Sequence, residues 1–314
     1  MSLLSQAEIA GYLSIVDRVP EKERVKVRRL LEMDRVERCR ESYLFFVQQM
    51  WPVFISGKHH KIMADAFERV AKGELKRLII NMPPRHTKSE FSSYLLPAWF
   101  LGKFPEKKII QTAHTAELAV GFGRKVRNLV SSEAYQRIFQ TKLSSDSKAA
   151  GRWNTEQGGD YFAIGVGGAV TGKGADILII DDPHSEQEAK QGNPAVYNNV
   201  YEWYTSGPRQ RLQPGGSIII VMTRWATRDL TGQILKNSSK DGTDDWEVIE
   251  FPAILPSGNT LWPEFWKREE LEAIKAELPV AKWEAQYQQN PTSEEGAIIK
   301  REFWQIWTDE YPPS

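Results

Sequence analysis

The run Ala175-Asp176-Ile177-Leu178-Ile179-Ile180-Asp181-Asp182-Pro183 constrains the fold more than any other stretch of the chain. Consecutive aliphatic residues without alternation suit a strand covered by helices on both faces, which belongs to a parallel sheet in an α/β protein. Sheets of that kind bind ligands at the carboxyl ends of their strands. This strand ends there in two adjacent carboxylates. The plain account is a strand cut off by a polar turn at Asp-Asp-Pro, unless a phosphate-binding loop lies elsewhere in the chain.

Such a loop follows another apolar run. Leu78-Ile79-Ile80 leads into Asn81-Met82-Pro83-Pro84-Arg85-His86-Thr87-Lys88-Ser89, and Glu90–Leu96 reads as a helix. A strand, a tight loop and Lys-Ser opening a helix form the layout of a P-loop. Its backbone N–H groups face phosphates, its lysine supplies a point charge and its serine holds Mg²⁺. The match to G-x-x-x-x-G-K-[ST] is loose, because Met82 and Thr87 stand at the glycine positions. A β-branched residue is strained at positive φ, so Thr87 predicts a strained loop or one wound differently from the common form. Alone, Lys88-Ser89 also suits a turn before an amphipathic helix.

Paired with the acidic strand about ninety residues on, the loop reads as Walker A and the strand as Walker B. Asp181 then holds Mg²⁺ together with Ser89, and Asp182 positions the attacking water. Pro84, Arg85, His86, Thr87, Lys88 and Ser89 contact the nucleotide, with Arg85 placed to reach the γ-phosphate. ATP and Mg²⁺ are the expected cofactors. A second glycine loop, Gly167-Gly168-Ala169-Val170-Thr171-Gly172-Lys173, satisfies G-x-x-x-x-G-K literally. Gly174 follows where Ser or Thr would bind the metal, and a strand follows instead of a helix, so the dipole and N-terminal amides are missing. It reads as a flexible loop whose Lys173 is free to touch nucleotide or DNA.

Strands are expected at Lys107–Ala113, Tyr161–Ile164, Gly216–Trp225 and Trp246–Phe251, and helices at His59–Phe67, Thr115–Val130 and Thr227–Leu235. The P-loop helix is expected to break at Pro97, and Gln136–Gln157 to be an irregular surface excursion. Ser185–Tyr204 reads as polar helix interrupted around Gly192-Asn193-Pro194. Alternating strands and helices argue for a mainly parallel sheet. The expectation is therefore an α/β P-loop NTPase core over 51–260, preceded by a helical segment over 1–50 and followed by a helical extension over 261–314. Thr223 and Arg224, at a strand end, should face the same crevice as Ser89 and Asp181, while Trp225 packs.

Bulk properties narrow the partners. Lys plus Arg equals Asp plus Glu, 41 each, so no global basic field announces nucleic acid and any such contact is local. A single cysteine, Cys39, excludes an internal disulfide framework and reads as structural. The absence of a long apolar run and of a signal-peptide h-region points to a protein that meets no membrane. His59 and His60, adjacent on a helix, point to different faces and make a metal site improbable. Trp262, Trp266, Trp283, Trp304 and Trp307 read as packing anchors.

With the loop, the acidic strand and Thr223-Arg224-Trp225 in place, the chain resembles the large terminase subunit of tailed double-stranded DNA bacteriophages. The matching stretches are Leu78–Ser89, Gly165–Pro183, Val221–Trp225 and Tyr287-Gln288-Gln289-Asn290-Pro291, spread from about Trp51 to Trp307. Departures from the common P-loop are frequent in that family. The resemblance implies an ATPase motor that works in the host-cell cytoplasm as a ring of identical subunits. It threads double-stranded DNA through the portal into a procapsid, with a small terminase subunit as partner. It also implies that Thr223 senses the γ-phosphate and relays it. The family usually has Glu where Asp182 stands, so a neighbour such as Glu186 is expected to help. A ring motor wants a cation that reaches a neighbour's nucleotide, and Arg124 is the candidate with Arg127 in reserve; an exposed helix cation is the plain alternative. Family members usually carry a C-terminal nuclease domain, and this chain is expected to stop where that domain would begin and to lack nuclease activity. Two other readings stay open: a helicase-like P-loop translocase with no capsid role, and a non-catalytic nucleotide-binding module, against which the second carboxylate argues.

Overall fold

The computed structural model describes residues 3–16, 18–187, 194–241 and 245–292. Its strands are β1 (Arg77–Asn81), β2 (Lys108–Ala113), β3 (Leu143–Ala149), β4 (Arg152–Thr155), β5 (Asp160–Gly165), β6 (Ala175–Asp181), β7 (Leu212–Met222) and β8 (Glu247–Glu250). They form one sheet in the order β3-β4-β5-β2-β6-β7-β1-β8. From β5 to β8 every pairing is parallel, and only β3 with β4 and β4 with β5 run antiparallel. The expected mainly parallel α/β sheet is thus present.

The aliphatic runs divide between the two faces as a period of two requires. Leu78, Ile80, Ile177, Ile179, Ile219 and Val221 join one core cluster, while Ile79, Leu178, Ile180, Ile218 and Ile220 join another. Helices Tyr43–Met50, Lys58–Ala71, Leu96–Lys103 and Ala116–Val130 close the first face with Tyr43, Phe67, Trp99 and Val126. Helices Pro194–Ser206 and Leu230–Asp241 close the second with Val200, Tyr204, Leu230 and Ile234. Each large apolar side chain buried this way contributes roughly 1.5–3 kcal/mol, which is why the strands read as unbroken hydrophobic runs.

Three expectations change. The P-loop helix does not break at Pro97. A π-helical turn, Glu90–Leu95, precedes it, and the Leu96 N–H reaches back to the Phe91 carbonyl. That wider turn lets the chain pass a proline that has no N–H to donate. Tyr43 secures the turn by donating its hydroxyl to the same carbonyl at 2.5 Å. Second, Gln136–Gln157 holds the antiparallel pair β3–β4. Trp153 is its buried anchor, stacked on Tyr161 at 4.8 Å with its indole N–H directed to the Gly123 carbonyl at 3.3 Å. Gly123 must lack a side chain there, since a Cβ would sit 2.5 Å from the Ala150 carbonyl oxygen. Third, the expected helix Thr227–Leu235 begins later and runs over Leu230–Asp241.

The amino-terminal region is helical over Gln6–Ile15, Glu21–Glu41 and Tyr43–Met50, and Cys39 is buried and free. After Leu261, helices Arg268–Glu277 and Val280–Gln286 follow. Trp262 and Trp283 are buried as anchors, whereas Trp304 and Trp307 lie outside the described residues, as does the interruption expected at Gly192-Asn193. Among the described residues no helix is long and apolar enough to cross a membrane.

Candidate active site

The register of the parallel strands aligns their carboxyl ends in one row. Asn81 pairs with Met222, Val221 with Asp181, and Asp181 with Ala113. β7 lies between β1 and β6, so the residue after it, Thr223, stands between the P-loop and the acidic pair. This topology brings together residues from three separate stretches of sequence.

The loop departs from the common P-loop at its bends. Met82 is still part of the ladder, its N–H bonded to the Met222 carbonyl at 3.0 Å, and so has no need to be glycine. Positive φ falls instead on Arg85, at 62°, and on Thr87, at 69°. Both are uncommon for residues with a Cβ, which marks a loop held by its surroundings. The Thr87 hydroxyl donates to the His86 carbonyl at 2.5 Å and receives His60 Nε2 at 2.7 Å. Arg85 is exposed and has no partner among the described residues. His86, in contrast, is fully buried, with Nδ1 on the Pro84 carbonyl at 2.8 Å and its ring stacked on Trp266. Only its backbone is left to meet a ligand.

Lys88 closes the loop onto the sheet edge. Its Nζ donates to Thr223 Oγ1 at 3.0 Å and lies 2.8 Å from Asp182 Oδ2. Thr223 Oγ1 in turn donates to the Met82 carbonyl at 3.1 Å, and the Thr223 N–H donates to Asp182 Oδ1 at 2.8 Å. Asp182 sits at φ 39°, a left-handed position that aspartate tolerates better than most residues.

Asp181 receives two serines, Ser89 Oγ on Oδ1 at 2.9 Å and Ser93 Oγ on Oδ2 at 2.7 Å. Ser93, four residues beyond Ser89 and thus on the same helix face, also receives Gln111 Nε2 at 2.9 Å. Burial raises the Asp181 carboxyl to about 7, with Asp182 adding to the rise and Lys88 and both serines opposing it. A buried carboxylate beside an alcohol is an oxygen donor set suited to a hard divalent cation such as Mg²⁺, whose charge would favour the ionised form.

Other expected residues lie elsewhere. Arg224 does not face the crevice; it turns to Asp229, with Nε 3.0 Å from Oδ2, and toward Glu250 at 3.5 Å. The Arg224 N–H donates to Gln289 Oε1 at 3.1 Å, which ties the Gln-Gln-Asn segment to the end of β7. Lys173 is engaged by Asp160 at 2.6 Å and lies over Phe162, so it is not a free contact for nucleotide or DNA. Arg124 is exposed on helix Ala116–Val130 and has no partner among the described residues, while Arg127 donates to Asn128. Glu186 is exposed and Trp225 packs into the second core cluster.

Three contributors escaped the sequence reading: Ser93, the bonding role of His60, and Asp229. Only Ser93 carried a local signal, its spacing from Ser89. His59 and His60 also correct an expectation. Their rings lie side by side, 3.8 Å apart and buried, instead of pointing to different faces. No group of three or more His, Cys, Asp or Glu side chains able to hold a metal ion occurs among the described residues.

The fold is similar to that of the HK97 bacteriophage large terminase, at TM-score 0.53 and 13% identity over 80% of this chain and 55% of that one. It is also similar to the large terminase ATPase domain of Thermus phage P74-26, at TM-score 0.50 and 13% identity over 80% of this chain and 99% of that domain. This chain therefore spans little more than half of the HK97 protein. No protein-family model and no curated protein matches the sequence. At such low identity the likeness is one of fold.

Proposed function

We propose that the chain is an ATP-hydrolysing motor domain of a DNA-packaging terminase. The observation that carries this reading is the direct bonding of three stretches at one sheet edge: Lys88 to Asp182 and Thr223, and Ser89 to Asp181. A binder of nucleotide has no use for a second carboxylate and a hydroxyl aimed at the same lysine, whereas a hydrolase does.

In this reading the loop amides, Lys88 and Arg85 bind the phosphates of ATP, and Ser89 and Asp181 hold Mg²⁺. Held there, Mg²⁺ would supply positive charge against the developing charge of the phosphates. Lys88 leaves Asp182 for the phosphates, which frees the Asp182 carboxylate to orient water. Thr223, bonded to Lys88 and to the backbone of Met82, senses the change at the end of β7. Arg124 serves the nucleotide of a neighbouring subunit in a ring. Double-stranded DNA, the portal of a procapsid and a small terminase subunit are the partners, and the core over 51–260 carries the chemistry.

The test is steady-state ATP hydrolysis with Mg²⁺ by the chain beside Lys88→Ala and Asp182→Asn across a protein concentration series. Turnover lost in both supports the assignment, and turnover indifferent to Lys88→Ala refutes it. Stimulation by portal or procapsid beyond that by DNA alone distinguishes a packaging motor from a free DNA translocase.

A further inference from the structure

Thr87 is the least expected residue of the loop: β-branched, at φ 69°, in a position where glycine is the usual solution. Its conformation is over-determined from one side. The Gly57 N–H donates to His60 Nδ1 at 2.8 Å, so Nδ1 carries no proton and the neutral ring bears its proton on Nε2. That Nε2–H points at Thr87 Oγ1, 2.7 Å away, and the same hydroxyl donates its own hydrogen bond to the His86 carbonyl at 2.5 Å. The relay runs in one direction from the start of helix Lys58–Ala71 to the backbone of the loop.

The ring has no freedom to move away. His60 is 0% exposed, walled by Phe54 at 4.7 Å, Phe91 at 4.8 Å and Trp262 at 5.0 Å between ring centroids. Gly57 is required for the approach, since a Cβ there would lie 2.8 Å from the His59 ring and from the Trp262 ring. Burial, with His59 and His86 adding to it, pushes the His60 imidazole down to about 2, so it stays in the neutral form that the relay needs.

We propose that His60 is a positioning residue of the P-loop: its Nε2–H fixes the Thr87 hydroxyl and thereby holds a threonine in the left-handed backbone conformation that presents the loop amides and Lys88 to phosphate. The histidine takes over the task that a glycine performs in the common loop. The assignment rests on the P-loop reading above, but it concerns a residue that no loop motif contains.

The experiment is binding of a fluorescent ATP analogue with Mg²⁺ to the full chain, with thermal melting as a check on folding. His60→Ala should weaken binding about tenfold, the size of one lost buried hydrogen bond. Adding Thr87→Gly to His60→Ala should recover most of that loss, because glycine needs no support at positive φ. A merely structural histidine would show no such rescue. Where His60→Ala does not fold, Thr87→Val gives the same reading from the loop side. It keeps the β-branch and drops the hydroxyl, and should bind about tenfold more weakly. If Lys88→Ala abolishes binding while neither His60→Ala nor Thr87→Val weakens it, or if glycine fails to rescue, the role of His60 is overturned and the P-loop stands. If binding ignores Lys88→Ala, the P-loop reading falls and the assignment of His60 with it.

Discussion

Lys88 Nζ lies 2.8 Å from the Asp182 carboxylate, a pair in which the lysine is buried and the aspartate a third exposed. The loop lysine is thus neutralised by the carboxylate that stands where a water-orienting group is expected. In the proposed ATPase reading, nucleotide has to compete with Asp182 for Lys88. Asp182→Asn keeps the acceptor for the Thr223 N–H but removes the competing charge. It should leave Mg²⁺-ATP affinity equal or tighter while turnover drops about 10²–10⁴-fold, the usual contribution of a positioned acid-base group. Fluorescent-nucleotide titration and steady-state hydrolysis separate the two, and a variant that loses binding together with turnover refutes the competition.

Asp181 gives a pH signature to the metal-free protein. Its folded carboxyl titrates near 7 against an ordinary value of 3.8, so between these the folded protein keeps a proton that the unfolded chain has released. Stability then falls as pH rises from about 4 through about 7 and levels off above. Asp181→Asn should flatten this decline, measured as melting temperature in chelator between pH 5 and pH 8. Mg²⁺-nucleotide affinity should move the opposite way, rising toward pH 8 as the carboxylate ionises. Parallel melting profiles for the two proteins would remove Asp181 as the source.

The strands of the core and the two stretches that meet at the candidate site were legible because long apolar runs ending in polar residues are local signals. Leu78–Ile80, Ile177–Ile180 and Ile218–Val221 each announce a strand buried on both faces, and their shared edge follows from parallel pairing. β3 and β4 were not legible, because the hairpin is polar along most of its length. Trp153 holds it by stacking on Tyr161, a residue of another strand, and by its indole N–H to the Gly123 carbonyl. Arg224 was misplaced for a different reason. Past the end of β7 the chain still alternates, so when Thr223 faces Lys88 its neighbour must turn away, toward Asp229. The clamp on Thr87 involves Gly57 and His60, some thirty residues upstream, and no sequence period connects them.

Asp229 is the hub of that turned-away side. Fully buried, it accepts Arg224 Nε and the N–H groups of Trp225, Ala226 and Gly232. Asp229→Ala leaves the Arg224 guanidinium buried with, among the described residues, only Glu250 at 3.5 Å, and orphans three amides. Removing one member of a buried ion pair costs about 3–5 kcal/mol. Urea denaturation should show a loss of that order, with Asp229→Asn intermediate because its single amide oxygen still accepts from some of these N–H groups. A loss below about 1 kcal/mol, the level of an exposed pair, would mean that the network is only decorative.

Arg124 makes the reading of a ring testable. It lies eight residues into helix Ala116–Val130, about 12 Å along the axis from an N-terminus that starts at the ligand edge of the sheet. It is exposed and unpaired among the described residues, and redirecting such a cation toward another subunit breaks no local contact. Arginine supplied across an interface is worth about 10³–10⁵ in rate. Arg124→Ala should therefore bind Mg²⁺-ATP normally and abolish the steep rise of turnover with protein concentration. Mixing provides the decisive measurement. An Arg124→Ala subunit retains its own Lys88, and a Lys88→Ala subunit retains Arg124 for its neighbour. Two proteins inactive alone should thus regain turnover when combined, at sites that join the intact loop of one to the arginine of the other. Silence of the mixture, with both variants folded and assembled, would leave Arg124 an ordinary surface cation and direct the search to Arg127.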